Sequence, residues 1–327
     1  MIAINNFYPF KDKVSIIIPV YNGSNFLEQA IDSALNQTHT NKEIIVVNDG
    51  SNDGGYVEKI ALSYNNKIKY FFKKRGGVSS ALNFGIERMK GDYFAWLSHD
   101  DIFEKDKIEK QLNFLKRKNL EACYTKVRII NKQGKVIGKD RSNWYPRKNA
   151  IKEILKKTYI NGSSILLSKN CLIKTGLFNE KLLYTQDNEM WLRILENYEI
   201  GLVDSYLVQY RSHKDQGTMR DGKIITKEAQ IMYKEIFEKI VLKSLLIKSH
   251  DHLKEKAKLY IWFGDIMAIN RAWYDFAESY YMKSLKIWNS PYNFAKIRIF
   301  FGIGKILIPL RIVKKFSHIL TLINTKL

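Results

Sequence analysis

The chain has 327 residues, 45% hydrophobic and 27% charged, with five prolines and no glycine-rich tract. It can bury a sizeable core as one large or two ordinary domains, and disordered, collagen-like and low-complexity classes are excluded. Lys and Arg number 54 against 33 Asp and Glu, a formal charge of +21, which favours polyanionic partners: nucleic acid, nucleotides or an anionic bilayer face.

Val14 to Val20, VSIIIPV, is a continuous β-branched run and predicts a strand buried on both faces. Pro19 is expected to end its regular pairing. After the turn at Asn22-Gly23, Ser24 is placed to cap a helix, in which Phe26, Leu27, Ala30, Ile31, Ala34 and Leu35 recur at helical spacing. Ile44 to Val47 predicts a second buried strand, followed by the turn Asn48-Asp49-Gly50-Ser51. A polar helix, a strand around Ile68 to Phe72, and a helix from about Val78 to Met89 come next. Tyr93 to Leu97 is then a strand that runs into Ser98-His99-Asp100-Asp101. Strands alternating with helices at this spacing imply a mostly parallel, doubly wound α/β sheet.

A helix from about Lys105 to Lys116 follows, then strand-like segments through Ile130, with Lys132-Gln133-Gly134-Lys135 as a hairpin turn. Asn161 to Leu167 reads as another strand, and Asp187 to Asn197 as a short amphipathic helix with Trp191, Leu192 and Leu195 on its apolar side. From about Thr226 long amphipathic helices replace strands. The expected domains are therefore 1–216 and a basic helical region, 217–327. In the latter, Trp273, Ala277, Tyr280, Tyr281 and Leu285 at helical spacing predict packing.

The two cysteines, Cys123 and Cys171, build neither a disulfide framework nor a zinc spacing and are expected as buried, reduced thiols. No basic n-region precedes an apolar stretch near the start, and no uncharged apolar run reaches the roughly eighteen residues of a spanning helix. A cytoplasmic setting is the expectation.

In open α/β sheets ligands bind beyond the carboxyl ends of the strands. Tyr21-Asn22, Asp49-Gly50-Ser51 and His99-Asp100-Asp101 all fall at such ends. Neither the dinucleotide fingerprint G-x-G-x-x-G nor a Walker phosphate loop follows the first strand, which disfavours a nicotinamide dehydrogenase and a phosphate-loop ATPase. The adjacent acids Asp100 and Asp101 repel each other unless a cation sits nearby, and Mg²⁺ or Mn²⁺ bridges carboxylates to phosphates. A solvated turn or helix cap is the competing reading.

VSIIIPVYNGSNFLEQAIDSALNQT, EIIVVNDGSNDG, GVSSALNFGIERMKGDYFAWLSHDD and GLFNEKLLYTQDNEMWLRI resemble, in order and spacing, the successive motifs of family 2 glycosyltransferases. The resemblance covers about residues 13 to 215. It implies a Rossmann-like glycosyltransferase A-type (GT-A) fold, a nucleotide-sugar donor, a divalent metal (Mn²⁺ or Mg²⁺) and inversion at the anomeric carbon. By matching position, Pro19, Val20 and Tyr21 form the first nucleotide-contacting segment and Asp49 recognises a pyrimidine base, with uracil favoured. Asp100 lies on the ribose side, Asp101 is the metal ligand and Asp187 the catalytic base. Tyr210-Arg211-Ser212-His213 resembles the later Y-R-x-H segment, in which His213 completes the metal shell and Arg211 meets phosphate. Lys74 and Arg75 are placed to meet the diphosphate, or form a solvated charged loop. Trp191 is open between lining the acceptor and core. Two departures stand out: Ser98 replaces a frequent third acid, and Gln186 replaces the Glu that often precedes the base. The Q-x-x-R-W motif of processive synthases is missing, which points to single-residue transfer.

Residues 219–327 carry a net charge of +11, and the stretch from Lys296 onward has seven cations and no acid. KIRIFFGIGKILIPLRIVKKFSHILTLI therefore predicts an interfacial helix on an anionic membrane, or a final helix packed on the catalytic domain. The resulting expectation is an inverting, metal-dependent enzyme at the inner membrane face. It would move one sugar from a UDP-sugar to a glycan or lipid-linked acceptor in surface polysaccharide synthesis. Two other classes are weighed: a nucleic-acid-binding protein, unsupported by any nucleic-acid motif and so not expected, and a nucleotidyltransferase on a similar sheet.

Overall fold

The structure is a computed structural model and describes residues 12–156, 159–214, 216, 222–241, 252–268 and 274–287. Its chain divides into two compact units, residues 1–232 and 233–327, a division later in the chain than the change of composition near 216.

The first unit is built on a nine-stranded sheet with the path β3-β2-β1-β4-β8-β6-β9-β5, β7 pairing with β6. In chain order the strands are β1 (Val14–Val20), β2 (Lys42–Asn48), β3 (Lys69–Phe72), β4 (Tyr93–Trp96), β5 (Ile102–Phe103), β6 (Ala122–Ile130), β7 (Val136–Lys139), β8 (Leu166–Ser168) and β9 (Ile200–Arg211). β1 to β4 are mutually parallel, and β6 runs parallel to β9. β8, β7 and β5 enter antiparallel. This is the mostly parallel, Rossmann-like GT-A arrangement expected.

β1 is apolar throughout because it is central and every residue of it is buried. Its alternate residues serve opposite faces. Val14, Ile16, Ile18 and Val20 pack with Leu27, Ala30, Ile31 and Ala34 of α1 (Ser24–Leu35). Ile17 points the other way, against Gly85 of α3 (Val78–Ile86), where a Cβ would lie 2.6 Å from Ile17 Cγ2. Each buried aliphatic side chain contributes about 1.5–3 kcal/mol, and this strand serves both layers. The same face as α1 carries α2 (Tyr56–Ser63) through Val57 and Ala61, and α4 (Lys107–Lys118) through Ile108, Leu112 and Leu115.

Three local expectations change. Pro19 stays paired with Val47, and Val20 with Asn48. It is on the β4 side that pairing stops, at Ile17 opposite Trp96, where a residue without N–H costs nothing. Ser24 is the first helical residue of α1, not its cap; Gly23 holds the cap position without a side-chain bond. The segment from Asn161 is a 3₁₀ turn, Gly162–Ser164, ahead of the short β8. Asn161 Oδ1 accepts from Ser163 N at 2.9 Å, and Gly162 lies flat against the Trp96 ring, where a Cβ would come within 2.5 Å.

Past β7, the first unit adds α5 (Arg147–Lys156), α6 (Lys169–Thr175), α7 (Gln186–Asn197) and the start of α8 (Gly222–Ile236). Trp191 of α7 is fully buried and stands edge-on to Phe178, which meets Trp96 in the same way: it is core. Cys123 and Cys171 are both buried and free, as expected. In the second unit, α9 (His252–Ala268) packs on α10 (Tyr274–Ile287) with Gly264 against the Tyr281 ring. Phe237 stacks on Phe263 at 3.9 Å, and Ala277, Tyr280 and Tyr281 are buried. The predicted interfacial helix from Lys296 lies outside the described residues. No helix among the described residues is long and apolar enough to cross a membrane.

Candidate active site

Because β1 to β4 are parallel, their carboxyl ends open on one edge of the sheet, and the polar loops that follow them meet there. Asn22 is left-handed at φ 51°. It donates from its backbone to Ser51 Oγ at 3.0 Å and exchanges two bonds with Asn52, at 2.6 and 2.9 Å. Gly50, at φ 71°, lets the third loop approach: a Cβ there would stand 2.7 Å from Arg75 N. Arg75 then lies over the Tyr21 ring at 3.8 Å and donates to its hydroxyl at 2.6 Å. Pro19 and Val20 are strand residues whose part is to deliver Tyr21 to this rim; Val20 is 2% exposed and its carbonyl accepts from Asp49 N.

Asp49 is almost fully buried, and its carboxylate gathers the loop after β3. Oδ1 accepts from Lys73 Nζ at 2.8 Å and Gly76 N at 2.9 Å, and Oδ2 from Gly77 N at 2.7 Å. Lys73, which the sequence reading passed over, is therefore the cation that pairs with Asp49, while Lys74 and Arg75 are exposed.

The two adjacent acids part company. Asp100 Oδ2 meets His213 Nε2 at 3.0 Å. Burial works against its charge, but the His213 bond and the two imidazoles nearby, His213 and His99, outweigh it and hold the carboxyl below its ordinary range. His99 lies against Gly23, where a Cβ would collide with its ring at 2.0 Å; burial lowers its pKa, against the pull of Asp100. Asp101 turns inward and is 1% exposed. Its Oδ2 accepts from Ser163 Oγ at 2.6 Å and its Oδ1 from Arg211 N at 2.9 Å. Burial, then the charge of Asp100, pushes its carboxyl well above the ordinary range. The sequence reading gave the metal to Asp101 and the ribose side to Asp100; in the structure it is the Asp100 carboxylate that meets an imidazole, while that of Asp101 is held by Ser163 and the Arg211 backbone.

Four of the five guanidinium N–H groups of Arg211 are taken, by Asp100 O at 2.9 Å, Asn131 O at 3.1 Å, Lys132 O at 2.9 Å and Gln29 Oε1 at 2.7 Å, and the guanidinium lies 4.4 Å over the Phe26 ring. Its backbone N–H and its Nε thus brace the acid pair, through Asp101 Oδ1 and Asp100 O. Ser163, Gln29 and Gln216, which donates to Arg211 O at 2.5 Å, are ordinary polar residues in sequence. Nothing in their spacing marks them.

Asp100 and His213 are the hard oxygen and the imidazole nitrogen that could reach a cation here. Among the described residues no group of three or more His, Cys, Asp or Glu side chains is arranged around a common point. Two protein donors with open positions suit Mg²⁺ or Mn²⁺ shared with substrate phosphates.

Asp187 is the second residue of α7 and half-buried, and its Oδ1 accepts from Asn188 N at 2.7 Å. Burial pushes its carboxyl up to about 6, with the charge of Glu228 adding to the shift. The preceding residue, Gln186, is 7% exposed, and its Oε1 meets no donor among the described residues. The entrance to α7 lies beside the Asp49 clamp: Leu183 faces Gly77, and Ser79 Oγ donates to Leu182 O at 3.2 Å. Its body is tied to the turn that holds Asp101, because Trp191 Nε1 donates to Ile160 O at 3.3 Å, three residues before Ser163.

The chain is 45% identical over 212 residues to an uncharacterized glycosyltransferase of Rickettsia felis, a match covering 63% of this chain and 35% of that one. The chain thus spans about a third of that relative's length. It is 36% identical over 186 residues to the chondroitin synthase of Pasteurella multocida, covering 56% of this chain and 19% of the synthase. Among solved structures, S. aureus TarS 1–349 in complex with UDP-GlcNAc superposes with a TM-score of 0.60 at 15% identity, covering 89% of this chain and 92% of that one; this likeness is one of fold. Residues 15–178, about half of the chain and the stretch that carries Tyr21, Asp49 and Asp100, match the glycosyl transferase family 2 model, and the protein belongs to that family.

Proposed function

We propose that the chain moves a single sugar, with inversion, from a nucleotide-diphosphate sugar (UDP favoured) to a hydroxyl of a glycan or lipid-linked acceptor in surface polysaccharide synthesis. The observation that carries this reading is the division of labour among the acids. Asp100 is kept charged beside an imidazole, while Asp187, at the entrance to another element, is tuned to about 6.

A carboxyl of that pKa is a stronger base than an ordinary Asp yet is still largely ionised at neutral pH. Asp187 takes the acceptor hydroxyl's proton as the oxygen attacks the anomeric carbon and the bond from that carbon to the diphosphate oxygen breaks. One displacement from the opposite face inverts the centre and needs no nucleophile on the protein. Asp100 and His213 would hold the cation, which would neutralise the diphosphate of the departing nucleotide. Asp49 Oδ2, with one bond from Gly77, has a lone pair left for a uracil imide N–H. Tyr21 and Arg75 form the rim beside it. The buried acceptor oxygen of Gln186, next to the base, suits a sugar hydroxyl, since buried polar groups seldom stay unmatched.

The likeness to a Pasteurella chondroitin synthase and to TarS bound to UDP-GlcNAc supports a polysaccharide setting and a UDP-sugar. The +21 charge and the seven cations after residue 295 support an anionic membrane surface, at the inner face of the cell membrane.

The test is nucleotide release from a panel of nucleotide sugars, UDP-GlcNAc included, with Mn²⁺ or Mg²⁺ and after exhaustive chelation. Turnover of a UDP-sugar that chelation abolishes is expected. Turnover untouched by metal removal excludes the role given to Asp100 and His213, and pyrophosphate release from a nucleoside triphosphate and a sugar phosphate would replace the reading with nucleotidyl transfer.

A further inference from the structure

Glu228 lies on α8, beyond residues 15–178 of the family match and 43 residues past the segment it binds. Its carboxylate takes four hydrogen bonds from the entrance to α7. Oε1 accepts from Tyr184 N at 2.8 Å, Thr185 N at 2.8 Å and Thr185 Oγ1 at 2.9 Å, and Oε2 from Leu183 N at 2.6 Å. Three consecutive backbone N–H groups thus converge on one anion, and the positive end of the α7 dipole adds to the attraction. Thr185 occupies the cap position of α7 but makes no side-chain cap bond; its hydroxyl is given to Glu228 instead.

The rest of α7 is fixed by other means. Trp191 is in the core, and Arg193 pairs with Glu189 at 2.6 and 2.8 Å and reaches back to Thr175 O and Leu177 O at 2.7 and 2.9 Å. These contacts lie one to two turns beyond Asp187. The end of the helix that carries the base has Glu228 as its anchor.

We propose that Glu228 is a positioning residue for sugar transfer, clamping Leu183–Thr185 so that the first turn of α7 presents Asp187 to the acceptor. The proposal rests on the transfer reading above. It makes α8 part of the catalytic apparatus, although the family match ends well before it. A shift of about 1 Å in a reacting group can cost about 100-fold in rate, and four bonds to three successive residues are the kind of restraint that prevents one.

Two full-length variants test it. Glu228→Ala removes all four bonds. Glu228→Gln keeps an oxygen for Tyr184 and Thr185 but turns an NH₂ towards Leu183 N, and it removes the charge. With the nucleotide sugar that gives turnover in the panel, Glu228→Ala is expected to lose about 100-fold in kcat with donor KM unchanged, and Glu228→Gln to lose much less. In Glu228→Gln the acid limb of the kcat profile moves to lower pH, because a negative charge near Asp187 is gone. The thermal shift produced by UDP with Mn²⁺ stays that of the parent in both. Hydrogen exchange at the amides of Leu183, Tyr184 and Thr185 accelerates in Glu228→Ala while the sheet is unaffected. A kcat equal to the parent's in Glu228→Ala, or a loss shared equally by kcat, UDP binding and melting temperature, overturns the proposal. If the parent chain transfers no sugar, the transfer reading fails by itself. The exchange measurement still decides the clamp, and unchanged exchange at those three amides removes it.

Discussion

Replacing Asp187 by asparagine is expected to make the protein both more stable and less active. Burial first, and the Glu228 charge after it, carry the Asp187 carboxyl from 3.8 up to about 6, against the opposing bond from Asn188 N. About two pH units at about 1.36 kcal/mol each is a native-state cost of about 3 kcal/mol for holding the charge. The sign follows from linkage. The folded protein binds this proton more tightly than the unfolded chain, so stability falls as pH rises from about 4 to about 6, and the full cost persists above that. Asparagine carries no charge, and its Oδ1 can still accept from Asn188 N. It forgoes the attraction between a carboxylate and a helix N-terminus, about 0.3–1 kcal/mol, so the net gain is about 2 kcal/mol. At about 2–4 °C per kcal/mol for a unit of this size, the melting temperature should rise by about 4–8 °C at pH 7.5, and the two proteins should converge near pH 4. Scanning calorimetry at pH 4, 6 and 7.5 measures this without knowledge of donor or acceptor. Parallel turnover assays should show the variant inactive and the parent losing rate below pH about 6. Equal melting temperatures at pH 7.5, or a gain that is the same at pH 4, would show that the carboxyl is not strained and would refute the reasoning.

Three further outcomes follow from the geometry. Gly85→Ala drives a methyl to within 2.6 Å of Ile17 Cγ2 and should cost about 1–3 kcal/mol by overpacking, read as a lower urea midpoint at unchanged slope. Ser163→Ala deprives Asp101 of its 2.6 Å donor and Ser98 N of its acceptor. Leaving buried groups unmatched should cost about 1–3 kcal/mol, again by urea titration; stability equal to the parent's would mean Asp101 has another partner. His213→Ala should abolish the metal-dependent part of UDP binding, so that its melting curve with UDP and Mn²⁺ matches that of the parent after chelation. A full metal-dependent shift in the variant would place the cation elsewhere.

Fold and site were legible in the sequence to different depths. VSIIIPV declared a two-faced strand, and the α1 residues declared a helix, because burial writes a period of two or 3.6 into neighbouring positions. Asp49, Asp100 and Asp187 drew notice by standing where strands end or a helix begins within recognisable motifs, and the structure places them there. Adjacent acids look equivalent in a string of letters, but the backbone turn bonded from Asp101 N to Ser98 O sends one buried carboxylate to His213 and the other to Ser163 and Arg211 N.

Composition and periodicity by themselves determined the alternating sheet and the order of its strand-end loops, since those depend on interactions within a few residues; the family was legible only as a resemblance of motifs. Tertiary structure alone decided which carboxylate faces His213, which carbonyls Arg211 gathers, and that Glu228 clasps a loop 43 residues earlier. Such partnerships are chosen by hydrogen-bond geometry between segments far apart in the chain, and no local pattern encodes them.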